Sequence, residues 1–118
     1  NIVDFSLVEQ MNSSAGSYPE DVDEFEVAGL AVREAQSIDA PIVDTAPASF
    51  ECRLMKIVEI GEGMMASSVV FGEVVAFDVS DRIIDGTHID QEALDAVGRH
   101  VGSYYSRANQ LFTVDRPE

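Results

Sequence analysis

The segment from Arg99 to Tyr105 carries the most chemically versatile side chains of the sequence. It places a guanidinium group, the small step Gly102-Ser103 and two phenol rings, Tyr104 and Tyr105, within seven residues. A cation and planar rings beside a flexible backbone step can clamp a ligand that is both aromatic and anionic. The same residues also fit a simpler interpretation, in which a helix ends in a turn and the tyrosines pack on the edge of the domain. Arg99, Gly102, Ser103, Tyr104 and Tyr105 are therefore the candidate binding residues.

The dipeptide Gly72-Glu73 is a second candidate, because it interrupts a strongly apolar stretch. The missing side chain at Gly72 predicts a β-bulge or the close approach of another backbone or a ligand. The carboxylate of Glu73 needs a partner or contact with water. A salt bridge between subunits, a hydrogen bond and a catalytic role all remain open for it.

The other reactive residues form no catalytic or metal-binding pattern. His88 and His100 lie twelve residues apart, without a Cys or a carboxylate at the spacing of a tetrahedral site, so we expect no metal. Cys52, the only cysteine, falls on the apolar face of a predicted strand, where a thiol packs and reacts poorly. No Gly-x-Ser-x-Gly elbow and no glycine-rich phosphate loop occurs. The sequence identifies no catalytic residue.

The composition restricts the classes of partner. The 118 residues include 7 Lys and Arg against 22 Asp and Glu, which gives a formal net charge of −15. Because nucleic acids and anionic lipids are bound by basic side chains that displace counterions, we expect neither as a partner. The apolar stretches are far shorter than the roughly 20 residues of a membrane span. The length of 118 residues predicts a single domain. The single cysteine and the lack of a signal-peptide pattern predict a location in the cytoplasm.

The first half of the chain is predicted to contain one short helix and long connections. Ser6 and Glu9 match a capping box, which predicts a helix over residues 6–12. Turn-forming residues follow, and the acidic residues 20–26 predict a solvated segment rather than a calcium loop, because Glu26 stands where that loop needs Gly. The prolines and the absence of any period over residues 33–47 predict an extended surface connection.

The second half is predicted to consist mainly of strands. Period-two alternation over residues 50–60 predicts a half-buried strand. In this strand Phe50, Cys52, Leu54, Val58 and Ile60 are predicted to face the core, and Glu51, Arg53 and Glu59 to face solvent. Residues 69–79 are apolar on both faces, which is typical of a strand covered on both sides. Asp85-Gly86 predicts a turn.

The last part of the chain is predicted to contain one more helix and little else that is regular. Asp90 is a suitable cap for a helix over residues 91–97, and Gly98 can end it. The remaining residues are predicted to be irregular or in short extended pieces. These elements favour a mainly β fold, a β-barrel with short helices.

Several blocks of the sequence, taken in order, resemble the C-terminal part of the flavin reductase-like, FMN-binding split β-barrel family. The blocks are Val8–Asn12, Pro19–Leu30, Phe50–Arg53, Val70–Val74 and Asp90–Tyr105. The resemblance covers nearly the whole chain. It implies that residues 1–118 form a single domain that is the C-terminal part of a split-barrel domain.

The resemblance also implies a function. Family members form homodimers that hold FMN near the subunit interface. They act as NAD(P)H-dependent flavin reductases or as reductase partners of flavin-dependent monooxygenases. Because the cofactor carries the hydride chemistry in such a protein, no catalytic triad is expected. Arg99, Gly102, Ser103, Tyr104 and Tyr105 are the residues that carry over as cofactor-binding positions.

The sequence departs from the family pattern in three ways. The family's N-terminal half, which carries the first barrel strands and most of the residues that hold the flavin, has no counterpart here, so we expect this chain alone to bind FMN poorly or not at all. Many members have a His near the position of Ser67-Ser68, on the nicotinamide side, and many have two glycines where this chain has Val101-Gly102. The departures keep two alternatives open: a non-catalytic flavin-binding or dimerisation module, and a small acidic interaction domain without a cofactor.

Overall fold

The chain folds around one long antiparallel hairpin. A computed structural model describes residues 1–117, without the side chain of Met65. In it, strands β3 (Ala48–Ile60) and β4 (Ser67–Val79) pair from end to end. The mainly β architecture with short helices is confirmed.

Three shorter antiparallel pairs and three short helices complete the described chain. The pairs are β1 (Val32–Glu34) with β2 (Pro41–Val43), β5 (Ile84–Asp85) with β6 (His88–Ile89), and β7 (Val97–Arg99) with β8 (Tyr105–Arg107). The helices are α1 (Val8–Ser14), α2 (Glu24–Ala28) and α3 (Gln91–Leu94). Single 3-10 turns lie at Phe5–Leu7, Gly63–Met65 and Asp81–Ile83. No helix within residues 1–117 has the length and apolar character that a bilayer span requires.

Two β-bulges interrupt the β3–β4 ladder. Val75 is the extra residue on β4, and Met55 is the extra residue on β3. Gly72 lies next to the second bulge, and a Cβ atom at Gly72 would lie 3.1 Å from the Cβ of Cys52. The bulge and the close approach predicted for Gly72 are therefore both present, and the neighbour that approaches is the opposite strand.

The face of β3 that was predicted to be buried is the exposed face over the first residues of the strand. Glu51 is only 1% exposed, whereas Phe50 is 50% and Leu54 64% exposed. Cys52, which was predicted to be buried, is exposed as well. The buried face is the one that carries Glu51. The Glu51 carboxylate accepts hydrogen bonds from the loop between β1 and β2. Phe50 and Phe77 contact each other edge to face on the outer side, with ring centroids 5.1 Å apart.

Strand β4 is not covered on both sides in the described chain, although its sequence predicted this. Val70 is 64%, Phe71 50% and Phe77 67% exposed. The apolar residues of the hairpin therefore outnumber those that the described elements can cover. The small core lies elsewhere, where Leu7, Val43 and Ala46 pack together.

The first helix begins differently from its prediction. Asp4, and not Ser6, accepts from the first free amide, since Asp4 Oδ1 lies 3.0 Å from the backbone nitrogen of Ser6. The Ser6 hydroxyl donates to the same carboxylate at 2.6 Å, so it does not form the capping box predicted with Glu9. The 3-10 turn at Phe5–Leu7 therefore precedes α1. At its other end, α1 extends to Ser14 and not to residue 12 as predicted.

The connections hold more regular structure than predicted. Within the acidic segment, Asp23 accepts a hydrogen bond from the Phe25 amide at 2.8 Å and caps α2. Gly29 ends this helix in the left-handed region, with φ 65°. The predicted surface connection over residues 33–47 contains most of the β1–β2 hairpin and buries Ile42. The turn at Asp85-Gly86 is confirmed between β5 and β6.

Helix α3 is shorter than predicted. Asp90 caps it as expected, because its Oδ1 accepts from the amides of Glu92 at 2.9 Å and Ala93 at 3.0 Å. The helix ends at Leu94, since Asp95 adopts a left-handed conformation with φ 46°. Gly98, the predicted helix end, instead lies in β7.

Removal of the Asp90 cap tests its contribution. We expect Asp90→Ala to lower the free energy of unfolding by about 1 kcal/mol, because two helix amides lose their acceptor. Asp90→Asn keeps an acceptor oxygen and should retain most of the stability. Urea denaturation of both variants measures the difference, and equal losses would contradict the capping role.

Candidate functional site

A cleft of about 450 Å³ separates α1 from the β7–β8 hairpin. Val8, Glu9 and Asn12 of the helix line one wall, and Arg99, Gly102, Ser103 and Tyr105 of the hairpin line the other. The structure thus brings four of the five candidate residues together. Tyr104 lies outside this cleft.

The strand register explains why the two tyrosines separate. Arg99 pairs directly with Tyr105, so their side chains share one face of the hairpin. Side chains alternate along extended chain, which turns Tyr104 to the other face, where it is 73% exposed. The backbone nitrogen of His100 donates to the Tyr104 carbonyl oxygen at 2.9 Å and continues the ladder. One planar ring, and not two, therefore faces the cleft.

The loop that connects β7 and β8 depends on Gly102. This residue has φ 64°, in the left-handed region that favours glycine. A Cβ atom at Gly102 would meet nothing within 4 Å, so the requirement for glycine comes from the backbone conformation and not from lack of space. Ser103 follows this turn directly and lines the cleft together with Arg99.

A backbone junction joins the two walls. Val97 N donates to Val3 O at 3.0 Å, and Phe5 N donates to Asp95 O at 3.2 Å. Between these two bonds, Asp4 and Ala96 form an isolated antiparallel bridge. Residues 3–5 lead into α1 and residues 95–97 lead into β7, so this junction sets the position of one wall against the other.

Arg107 strengthens the same junction from the outside. Its guanidinium carbon lies 4.0 Å from the centroid of the Phe5 ring. Its Nε donates to Asp95 Oδ1 at 3.0 Å, and a second nitrogen pairs with the other carboxylate oxygen. The hydrogen bond to Asp95 raises the pKa of Arg107. The left-handed Asp95 thus ends α3 and also anchors β8.

The cleft contains two charges that are not paired. Among residues 1–117, the arginines with a carboxylate partner are Arg33, Arg82 and Arg107. Neither Arg99 nor Glu9 forms an ion pair or a side-chain hydrogen bond within that part of the chain. In a chain with 22 acidic residues, an arginine in a cleft without a carboxylate partner is suited to bind the anionic part of a ligand.

A second cleft, of about 510 Å³, lies between the 3-10 turn at Phe5–Leu7 and the base of the long hairpin. Its charges are already compensated, because Arg33 pairs with Asp44 and Asp78 and Arg82 pairs with Asp4. This cleft therefore offers no free charge to a ligand. Its ion pairs connect distant parts of the chain.

The remaining candidates lie away from the cleft between α1 and the β7–β8 hairpin. Glu73 stands directly opposite Arg53 in the exposed middle of β3–β4. His100 Nε2 lies 2.9 Å from the Ser106 hydroxyl, on the outer face of the hairpin. In the described part of the chain, no three His, Cys, Asp or Glu side chains are arranged to hold a metal ion.

The cleft wall formed by α1 was not predicted from the sequence. Val8 and Asn12 are four residues apart, so they share a face of the helix, and Glu9 lies beside them. Their block is part of the resemblance to the family, but its residue types show no pattern that predicts a binding role. The only available signal was the position of this block relative to Asp90–Tyr105, and sequence separation conceals that the two are neighbours.

Comparison with known proteins identifies the family of this chain. The family model that matches is the flavin reductase like domain, over residues 1–96. The chain is 34% identical over 109 residues to an uncharacterised protein of Aquifex aeolicus, which covers 92% of this chain and 54% of that protein. It is 31% identical over 119 residues to protein BH2278 of Halalkalibacterium halodurans, covering 99% of this chain and 57% of the relative. The chain thus spans about half the length of the curated relatives it matches.

Solved structures show the same fold. Nitrilotriacetate monooxygenase component B from Bacillus cereus superposes with a TM-score of 0.86 at 28% identity, over 96% of this chain and 57% of that one. The 2-nitrobenzoate 2-nitroreductase NbaA of Pseudomonas fluorescens gives a TM-score of 0.87 at 28% identity, over 99% and 57%. A Shewanella frigidimarina protein with a split barrel domain gives 0.83 at 24% identity, over 99% and 59%. The split-barrel fold expected from the sequence is confirmed, and the chain belongs to the flavin reductase like domain family.

Proposed function

We propose that this chain is the C-terminal part of the split-barrel domain of an FMN-dependent oxidoreductase that accepts hydride from NAD(P)H. The observation that carries the proposal is the cleft in which Arg99 and the ring of Tyr105 share one wall, Arg99 having no ion-pair partner among residues 1–117. Family membership supports a flavin as the ligand. Two structural relatives bear the names of a monooxygenase component and a nitroreductase, which supports redox chemistry and a monooxygenase as the partner.

The residues of the cleft fit one part of a flavin. Tyr105 offers a planar face, and the Arg99 guanidinium offers donors and positive charge to the polar edge of the ring. The Ser103 hydroxyl and the Asn12 amide add hydrogen-bonding groups that a heteroaromatic ring system can use. When bound, FMN would supply the hydride chemistry. The residues of this chain would hold and orient the ring and exclude water from one side of it.

The exposed apolar face of the long hairpin supports a larger assembly. Phe50, Leu54, Val70 and Phe77 share this face and are each at least half exposed. Contiguous apolar surface of this kind marks contact with other protein. We place the remaining strands of the barrel against it and infer a homodimer that holds FMN near the subunit interface. The cytoplasm, where both NAD(P)H and a monooxygenase are accessible, is the proposed location.

Cofactor binding is tested on the intact protein. We expect the purified protein to be yellow, and the apoprotein to quench FMN fluorescence as it binds in a titration. A colourless protein that takes up no FMN would contradict the proposal.

A second candidate function is a flavin-binding or dimerisation module without turnover. Ser67-Ser68 stands where many family members have a His, and the Ser68 hydroxyl is engaged with Glu59 at 2.7 Å. Stopped-flow mixing of the FMN-loaded protein with NADH or NADPH separates the two functions. Rapid bleaching of the flavin absorbance supports the oxidoreductase, and stable absorbance with both nucleotides supports the module.

The neighbouring tyrosines provide a matched test of the site. We expect Tyr105→Ala to raise the Kd for FMN about tenfold, because stacking on an aromatic side chain contributes roughly 1–3 kcal/mol per base. Tyr104→Ala removes the same ring from the other face of the hairpin and should change the Kd less than twofold. Fluorescence titration measures both. A larger effect at Tyr104 would show that the ligand lies on the opposite face.

A further inference from the structure

The cleft holds one positive and one negative side chain on opposite walls. Arg99 comes from β7 and Glu9 from α1. The two groups do not pair with each other, since neither occurs in an ion pair within residues 1–117. A ligand in the cleft is therefore exposed to the field of both charges. If the ligand becomes more negative, its attraction to Arg99 increases and its repulsion from Glu9 increases as well.

We propose that Arg99 and Glu9 act in opposition to set the relative affinity of this cleft for the oxidised and reduced forms of the flavin ring. The inference rests on the proposed function and assigns to these two residues the balance between the redox states. Both side chains are exposed at the rim of the cleft, so neither is needed for a core.

The direction follows from the charge of the ring. Reduction adds two electrons and one or two protons to the ring. When only one proton is taken up, the reduced ring carries a negative charge that the oxidised ring lacks. Arg99 attracts that charge, whereas Glu9 repels it, so Arg99 favours the reduced form and Glu9 favours the oxidised form. Charges near the ring are among the means by which a protein tunes a flavin.

The size of each contribution is limited by solvent. At an effective dielectric constant near that of a protein surface, a unit charge several ångströms away still has a measurable effect, but salt and water reduce it. We expect each charge to change the ratio of the two dissociation constants by roughly three- to tenfold. For a two-electron couple, tenfold corresponds to about 30 mV in midpoint potential.

The experiment measures the midpoint potential of the intact FMN-loaded protein by spectroelectrochemistry, together with the Kd of oxidised FMN. Arg99→Gln should lower the potential, Glu9→Gln should raise it, and Arg99→Lys should stay near the unaltered protein. Arg116→Gln and Glu20→Gln change the same charges outside the cleft and serve as controls.

Each outcome has a defined meaning. Opposite shifts in the two cleft variants, both larger than those of the controls, support the inference. Shifts no larger than those of the controls overturn the inference, and so does a shift in only one of the two variants. In both cases the proposed function stands as long as the unaltered protein binds FMN. If the unaltered protein binds no FMN, both the inference and the proposed function are overturned.

Discussion

Glu51→Ala is expected to lower the free energy of unfolding by about 3 kcal/mol. The Glu51 carboxylate is buried, and its two oxygens accept hydrogen bonds from the backbone nitrogens of Gln36 at 2.9 Å and Ser37 at 2.6 Å. Alanine at this position removes the acceptor of both amides. A hydrogen bond to a charged group contributes about 1.5–3 kcal/mol, and water recovers part of the loss because Gln36 and Ser37 are exposed. Urea denaturation followed by circular dichroism measures the loss.

Glu59→Ala is the matched control for this variant. Glu59 lies on the same strand but is exposed, and within the described part of the chain its carboxylate accepts from the Ser68 hydroxyl alone. Substitutions at exposed positions of this kind usually change stability by less than about 0.5 kcal/mol. Equal losses in the two variants would show that Glu51 acts through strand propensity and not through its two hydrogen bonds.

Glu51 also shows what periodicity determines and what it leaves open. The alternation over residues 50–60 correctly predicted a strand. Its division of the side chains holds only as far as the bulge, because the extra residue Met55 reverses the alternation and moves Val58 and Ile60 to the other face. Which face is buried depends on what packs against it, and here the loop at Gln36 and Ser37 supplies two donors to the polar face. In a single sequence, a carboxylate that accepts hydrogen bonds from the backbone of a loop cannot be distinguished from a carboxylate in solvent.

The candidate site was predictable on one wall only. A local cluster of residue types identified Arg99 and Tyr105, because the cation, the glycine and the ring lie close together in sequence. The strand begins at Tyr105, and the hydrogen bond from His100 N to Tyr104 O continues its ladder, so the alternation of side chains separates Tyr104 from Tyr105. The α1 wall was not predictable, since Val97 and Val3 are joined by a backbone hydrogen bond across more than ninety residues of chain.

Asp4→Asn is expected to lower the free energy of unfolding by about 2 kcal/mol at pH 7. The Asp4 side chain is 5% exposed and accepts from Arg82 at 2.6 Å and from the hydroxyl and amide of Ser6. Removal of one partner from such a pair leaves a charge uncompensated, although Arg82 is 49% exposed and water recovers part of the loss. Asp21→Asn, at an exposed position, is the matched control.

The loss of stability caused by Asp4→Asn should become smaller as the pH falls. Burial raises the pKa of Asp4, but the hydrogen bonds from Ser6 and Arg82 and the charge of Arg82 together lower it below its usual value. A carboxyl with a lowered folded-state pKa stabilises the protein above the unfolded-state pKa of about 3.9, and this contribution disappears as the pH falls through the lower folded-state value. The stability difference between the unaltered protein and Asp4→Asn should therefore narrow below about pH 4.

The position of Asp4 gives this variant a second measurable effect. Asp4 bridges to Ala96 at the junction of the two walls of the cleft. Because that junction positions α1 against the β7–β8 hairpin, we expect Asp4→Asn to weaken the proposed binding of FMN severalfold under conditions where the variant is still folded. Unchanged binding, together with a pH-independent loss of stability, would mean that the backbone bonds alone position the two walls.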